Sequence, residues 1–397
     1  MAKRRSSRSA IAVAAGVALA LLVVQGDGYR STAVRAAETQ HAALVAKAML
    51  NWYYLPDDGL MARYAEPLGG GAVTADLWGY SWALAGLEDV AALPGGERFL
   101  PLMRLLADNL EAYWDGDAKL PGYAPTVYPG QDALKYYDDN AWAGLDLVAA
   151  FEMTGDGAYL ARAERVFRYL ESGWDPAGGG IYWNEAHLTR NTASTAPTAE
   201  LAAWLYMATH QKLYLSWAER LFAWESRHLV NRSTGQVYGS IDADRNISST
   251  DWTYNQGSVI GAAVRLYRAT HRASYLKAAQ RTAAFVRARL VRADGTLMPP
   301  AEFGGVLADD LRLLYDETHD PGIARLVAAS AQAAWTRARN PQDLIGDDWQ
   351  GPPPTTAGLA LLTQTGAVRL FAVDAAVKSS VSGPLALLHR PPVTPAG

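Results

Sequence analysis

Two carboxylates stand side by side at Asp138 and Asp139, within the stretch Tyr136-Tyr137-Asp138-Asp139-Asn140-Ala141-Trp142. Retaining displacement at a sugar's anomeric carbon uses one carboxylate to attack and a second carboxyl group to protonate the departing oxygen, the two held roughly 5–5.5 Å apart. Neighbours in sequence meet that spacing where a helix begins. Successive side chains of a strand point to opposite faces, whereas two consecutive residues at a helix N-terminus can both face the space above the first turn. There the helix dipole lowers the pKa of one carboxylate while the like charge beside it raises the other, which separates a nucleophile from an acid. The competing reading is a simple helix cap, since Asp favours the N-cap and acids suit the first turn. The tyrosines before the pair and Trp142 one turn on weigh against a cap alone.

Positioning such a pair requires a scaffold, and the chain repeats one. Met153-Thr154-Gly155-Asp156-Gly157-Ala158-Tyr159-Leu160, Ala208-Thr209-His210-Gln211-Lys212-Leu213-Tyr214-Leu215 and Ala269-Thr270-His271-Arg272-Ala273-Ser274-Tyr275-Leu276 share a pattern of a short polar turn between two helices, their tyrosines 55 and 61 residues apart. Self-similarity at this period marks stacked helical hairpins that bury their apolar faces on one another. Helical periodicity places helices near 39–54, 75–91, 97–114, 138–153, 158–171, 197–209, 212–228, 255–269, 273–290, 304–318, 321–337 and 354–367, with strand alternation confined to short pieces such as Gly180 to Trp183. Twelve helices in six hairpins predict an all-α fold, an (α/α)6 toroid. Helices beginning near Asp76, Asp138, Pro197, Asn255 and Gly304 are the inner candidates, because Ala143-Gly144, Ala202-Ala203 and Gly261 to Ala263 permit close packing. Long loops rich in Gly, Pro and aromatics enter them and tight turns leave them, so the site belongs at the N-terminal mouth of the inner ring.

Composition narrows the classes. The chain has 397 residues, half of them apolar, and no cysteine, which excludes disulfides, thiolate metal sites and a cysteine nucleophile. Lys3, Arg4, Arg5 and Arg8 followed by the apolar run Ala10 to Val24 read as an export segment over residues 1–36, cleaved after Ala36 or kept as an anchor. Its removal moves the formal charge from −4 to −9. An acidic domain without a basic stripe is no partner for nucleic acid. The remaining boundaries are a catalytic domain over 37–370 and a flexible tail over 371–397, Pro-rich after Val381.

The expected mouth gathers Asp76, Trp78 and Tyr80; Tyr136, Tyr137, Asn140 and Trp142; Trp183 and Asn184; Asn191; Asp251, Trp252, Tyr254, Asn255 and Gln256; Glu302 and Phe303; and Asp347, Asp348 and Trp349. Aromatic faces pack on the C–H faces of pyranose rings while amides and carboxylates take hydroxyls, so this mixture suits a sugar. Trp204, Trp217, Trp224 and Trp335 lie within helices and read as core. His210, His271 and His319 recur at turns on the far end, His41 and His228 fall in outer helices, and only His187 lies near the mouth, which disfavours histidine or metal chemistry. Gly178-Gly179-Gly180 lacks the context of a phosphate cradle and reads as a tight turn. Asp242, Asp244 and Asn246 only loosely suggest a calcium loop, because the downstream Glu and central Gly are missing.

Four blocks in order resemble glycoside hydrolase family 76, the endo-α-1,6-mannanases and their fungal cell-wall relatives. They are Tyr137-Asp138-Asp139-Asn140-Ala141-Trp142; Gly173-Trp174 with Gly178-Gly179-Gly180-Ile181-Tyr182-Trp183-Asn184; Arg190-Asn191-Thr192-Ala193-Ser194; and Thr253-Tyr254-Asn255-Gln256-Gly257. The resemblance covers about residues 40–368 and implies an (α/α)6 fold and retaining hydrolysis of α-1,6-mannosidic bonds in mannan, without cofactor or metal. It carries the nucleophile onto Asp138 and the general acid/base onto Asp139. Substrate contacts are expected from Asp76, Trp78, Tyr137, Asn140, Trp142, Trp183, Asn191, Tyr254, Asn255 and Gln256. Arg190 departs from the family's usual Lys, and Phe303-Gly304-Gly305-Val306 departs from its Phe-Lys-Gly-Ile, which removes a cation from the mouth. The expectation is an exported or envelope-associated glycosidase with an α-mannan poly- or oligosaccharide as partner. A mannan transglycosidase on the same fold and a non-catalytic mannan-binding envelope protein are the alternatives.

Overall fold

A computed structural model describes residues 38–65, 72–129 and 134–380. The expected export segment and the tail beyond Ser380 lie outside the described residues. Among the described residues twelve α-helices follow one another: α1 over 38–53, α2 Leu77–Ala91, α3 Leu100–Asn109 with 3-10 turns at both ends, α4 Tyr137–Thr154, α5 Gly157–Ser172, α6 Thr192–Thr209, α7 Lys212–His228, α8 Thr253–Thr270, α9 Ala273–Arg289, α10 Ala301–Thr318, α11 Pro321–Thr336 and α12 Leu361–Ser380. The even-numbered helices form a closed inner ring, in which α2 packs on α4, α4 on α6, α6 on α8, α8 on α10, α10 on α12 and α12 back on α2. The odd-numbered helices pack outside. This is the (α/α)6 toroid.

Inner and outer helices differ in sequence because they differ in surroundings. α5 buries one stripe, Tyr159, Ala163, Val166, Phe167 and Leu170, as an amphipathic surface helix does. In α6 every residue from Thr192 to Leu205 is buried, so small residues dominate and no apolar stripe stands out. Close approach is strictest between α10 and α12. A methyl group on Gly305 would meet the backbone of Gly366 at 2.6 Å, and one on Gly366 would meet the carbonyl oxygen of Ala301 at 2.3 Å.

Tight turns leave the inner helices as the repeat predicts. α4 ends at Gly155 with φ +71°, and α6, α8 and α10 end at His210, His271 and His319 with φ between +51° and +57°. Each histidine ring lies against the tyrosine four residues earlier, Tyr206, Tyr267 or Tyr315. The threonine before each turn donates its hydroxyl to the carbonyl four residues back and accepts the amide two residues on. The three histidines therefore serve as helix caps at the end opposite the mouth.

Two elements differ from expectation. α6 begins at Thr192, five residues before Pro197, because a proline within the first two turns of a helix gives up only one backbone bond. The last helix runs over Leu361–Ser380 rather than 354–367: Pro352 to Pro354 and Gly358 at φ +78° keep the preceding segment irregular. α12 is the sixth inner helix, and it carries the domain ten residues past the boundary expected at 370.

Short β-ribbons decorate the mouth. β1 (Tyr54–Leu55) pairs with β2 (Leu60–Met61), and β3 (Trp114–Asp115) with β4 (Gly122–Tyr123). β5 (Thr189–Asn191), β6 (Ser240–Asp242) and β7 (Ile247–Ser248) form an antiparallel sheet in that order, with Arg190 opposite Ile241. Asp242 closes the β6–β7 turn by accepting from the backbone and side-chain nitrogens of Asn246, so this stretch is a hairpin turn. Gly179 and Gly180 adopt φ +74° and +82° beneath the ring of Trp224, as the tight-turn reading requires.

Candidate active site

The six inner helices direct their N-termini to one end, and the register of their first four residues decides what each side chain does. Second residues line the mouth: Trp78, Asp138, Ala193, Tyr254, Glu302 and Leu362 on α2, α4, α6, α8, α10 and α12. Fourth residues face away and tie down the loop behind. Asn140 accepts the amide of Tyr123 at 2.8 Å and donates to the carbonyls of Tyr123 and Tyr136. Gln256 holds Val237 by its amide and carbonyl, Gln364 accepts from Ile345, and the Thr195 hydroxyl accepts from Ile181. Asn140 thereby anchors β4, and the other three hold single bridged positions of the loops, Val237, Ile345 and Ile181, to the helix behind them.

Asp138 and Asp139 are the second and third residues of α4, half-buried below the rim. Trp183, on the loop before β5, donates its indole N–H to Asp138 Oδ2 at 2.9 Å, while Asp138 Oδ1 is shielded from water with no partner. Burial pushes Asp138 up to about 6, against the pull of that indole and of the first-turn amides. Asp139 is pushed well above the usual carboxylate range by burial first, then by the charges of Asp138 and Asp76. Asp138 is thus the easier of the two to ionise. Asp76 caps α2 by accepting from Gly79 N at 2.8 Å and pairs with Arg63 at 2.9 Å.

An aromatic wall rises beside the carboxylates. Phe303 is its hub, with ring centroids 6.2 Å from Trp78, 5.3 Å from Trp252 and 4.5 Å from Tyr254. Tyr254 lies close enough to Asp138 for the carboxylate charge to raise its phenol. Trp183, 42% exposed, meets Tyr136 edge-on at 5.2 Å on the other side. Polar atoms without protein partners occur at the N-terminal ends of α6 and α8: Asn191 Oδ1, Ser194 Oγ, Thr253 Oγ1 and both amide atoms of Asn255, itself 1% exposed. Buried polar groups left open in this way require a polar ligand or water.

The structure therefore brings together Asp138, Asp139, Asp76, Trp78, Trp183 and Tyr254, with Asn191 and Asn255 at the starts of α6 and α8. Four expected contacts lie elsewhere. Tyr137 is fully buried, stacked on Tyr169 at 4.9 Å. Asn140 and Gln256 are the loop brackets described above, with no exposed surface. Trp142, 7% exposed, meets Trp82 edge-on and lines a cavity of about 270 Å³ at the far end of the ring, together with Glu88, Asp146, Glu200, Arg265 and Arg369. Arg190, in place of a lysine, pairs with Asp175 at 2.8 Å and donates to the Asp242 carbonyl, so it braces the sheet. Where Gly304 lacks a side chain, the Trp349 ring fills the space, 2.8 Å from where a Cβ would be. Sequence reasoning missed Ser194, Thr253 and Arg63. The signal for Ser194 was its place as third residue of α6, matching Asp139 of α4 and Asn255 of α8, and the late start assigned to α6 hid it.

Residues 39–382 match the family model described as glycosyl hydrolase family 76. The chain is 33% identical over 159 residues to the Saccharomyces cerevisiae protein named mannan endo-1,6-alpha-mannosidase DFG5, a match covering 36% of this chain and 35% of the yeast protein. The chain thus spans about a third of the length of that curated relative. Among solved structures, an inactive variant of the α-1,6-mannanase GH76A of Salegentibacter sp. HEL1_6, with two consecutive aspartates replaced by asparagine and α-1,6-mannotriose bound, aligns at TM-score 0.75 and 24% identity over 86% of this chain and 99% of its own. The family 76 mannosidase Bt3792 of Bacteroides thetaiotaomicron VPI-5482 aligns at TM-score 0.78 and 24% identity over 86% and 99%.

Proposed function

The chain belongs to glycosyl hydrolase family 76, and from that premise we propose that it is an exported retaining glycosidase that cleaves α-1,6-mannosidic bonds in mannan. The observation that carries the reading is a pair of adjacent carboxyl groups in unlike surroundings: Trp183 donates to Asp138, which burial pushes up to about 6, while burial and the charges of Asp138 and Asp76 push Asp139 well above the usual carboxylate range. Two acids whose surroundings push their pKa values apart suit one nucleophile and one acid. Beside them an aromatic wall and unpaired amides match the two faces of a hexose. The basic and apolar N-terminal segment supports export to where mannan is found.

Asp138 Oδ2 is held by Trp183, which leaves the unpartnered Oδ1 to attack the anomeric carbon. As that bond forms, Asp139 gives its proton to the departing glycosidic oxygen. In the second step Asp139 takes a proton from water, which attacks the mannosyl–Asp138 ester and restores both groups. The product then keeps the α configuration. Proton NMR of α-1,6-mannotetraose digestion should show the α-anomer first; a β-anomer at the earliest time points would refute the double displacement. Products longer than the substrate would give the intermediate to a sugar acceptor instead of water.

The Trp183 bond makes a separate prediction. A hydrogen bond to the charged form favours that form, so Trp183→Phe raises the Asp138 pKa. Because the nucleophile must be ionised, the acid limb of the kcat/KM profile, expected near pH 6 in the native enzyme, should move upward by about 0.5–1 unit. A limb that stays in place would detach Asp138 from that limb.

A further inference from the structure

α4 and α10 lie three places apart in a ring of six, so their N-termini face each other across the mouth. Glu302 is the second residue of α10, as Asp138 is of α4. At the same register, Trp78 of α2 and Tyr254 of α8 both reach Phe303, the residue after Glu302. Glu302 is half-buried, and its Oε2 is out of reach of water with no hydrogen-bond partner. Asp347 stands beside it and accepts from the first amide of α10 at 3.2 Å. Burial, with the Asp347 charge adding to it, pushes Glu302 up to about 7. No cation comes from the next turn, because position 304 is glycine and the Trp349 ring fills that space. Asp348, one residue on, is engaged with Arg292 through two bonds of 2.7 and 2.8 Å.

We propose that Glu302 is a substrate-positioning residue, whose carboxyl group, backed by Asp347, holds sugar hydroxyls on the wall of the mouth opposite Asp138. The assignment rests on the mannan reading above and deepens it. A carboxyl group in surroundings that favour its protonated form offers a donor and an acceptor together, which matches a pair of adjacent hydroxyls on one hexose. Its buried, unpaired oxygen supplies the drive, since a polar atom without a partner gains more from a new hydrogen bond than one already solvated. The sugar it holds lies across the mouth from the bond being cut, so Glu302 selects for substrates long enough to reach both sides.

Calorimetric titration of α-1,6-mannotetraose into Asp139→Asn, a background in which turnover is slowed by about 100-fold or more, tests this. Adding Glu302→Ala should weaken Kd by roughly tenfold or more, whereas adding Glu302→Gln, which keeps a donor and an acceptor, should stay within about threefold. Should the alanine chain fail to fold, Glu302→Ser, too short to reach the sugar, carries the same expected loss. An unchanged Kd in the alanine variant, or an equal loss in the glutamine variant, overturns the role of Glu302 while native turnover of mannotetraose leaves the mannan reading standing. Absence of both binding by Asp139→Asn and turnover by the native enzyme overturns both.

Discussion

Asp138→Asn should lower the rate of α-1,6-mannotetraose hydrolysis by about 10⁴-fold or more, because it removes the carboxylate proposed to form the covalent intermediate. Asp139→Asn should lower it by about 10²–10⁴-fold, the range of a lost general acid. The two losses differ in kind, and a dinitrophenyl mannoside separates them. Its leaving group departs without a proton, so the first step of Asp139→Asn should return toward the native rate while Asp138→Asn stays inactive. Both carboxyl groups are held in an environment that disfavours their charge, so neither amide should lower the melting temperature, and a small rise is expected, as at other sites where activity is kept at the expense of stability. Initial rates, with circular dichroism to verify folding, decide the matter. More than a tenth of native activity in either variant sinks the assignment of the pair.

The second large effect is structural. Gly366→Ala places a methyl group 2.3 Å from the Ala301 carbonyl oxygen and 2.7 Å from Glu302 Cα. Those are backbone atoms, so no rotamer relieves the contact and α12 must move off α10. Overpacking of this kind costs about 1–3 kcal/mol and more where backbone meets backbone, and about 3 kcal/mol or more is expected from the urea midpoint. Gly157→Ala is the control: nothing lies within 4 Å of its Cβ position and its φ is not left-handed. It should be neutral or stabilising by about 0.5–1 kcal/mol. Equal midpoints for the two variants would show that the α10–α12 seam tolerates separation. Because the clash falls on the backbone that carries Glu302 and Phe303, Gly366→Ala should also weaken substrate binding.

The hairpin repeat was legible in sequence because turns are local: Thr-His and Thr-Gly steps recur where a left-handed cap follows a threonine. The inner ring was legible from its small residues, but its ends were not. α12 is buried nearly all round, so its sequence has no apolar stripe to mark where it starts and stops. The adjacent carboxyl groups and the aromatic wall followed from residue type and from the loops that hold them. What residue type could not supply was rotation about a helix axis. Asn255 and Gln256 are neighbouring amides, yet one step turns a helical side chain by about 100°, which leaves Asn255 unpaired at the mouth and ties Gln256 to Val237 behind it. The same step separates Asp139 from Asn140. Tyr137 and Trp142 were misplaced for the same reason, since the face an aromatic presents depends on register that tertiary packing fixes.

Joining the first helix to the last has a kinetic cost. Gln364 of α12 donates to the Val45 carbonyl across a separation of 319 residues, and Lys378 pairs with Glu38 at 2.7 Å. Until α12 is in place, α2 and α10 each lack a neighbour in the ring, and their buried faces stay open to solvent. Contacts of such long separation pay their loop-closure entropy late and slow folding. A nascent chain accumulates stacked hairpins in order from the N-terminus, as repeat architectures do, but it cannot close the mouth until α12 is synthesised and docked against α1 and α2. Closure of the mouth therefore comes long after Asp138 and Asp139 have been made, and whatever the mouth does waits on the docking of α12.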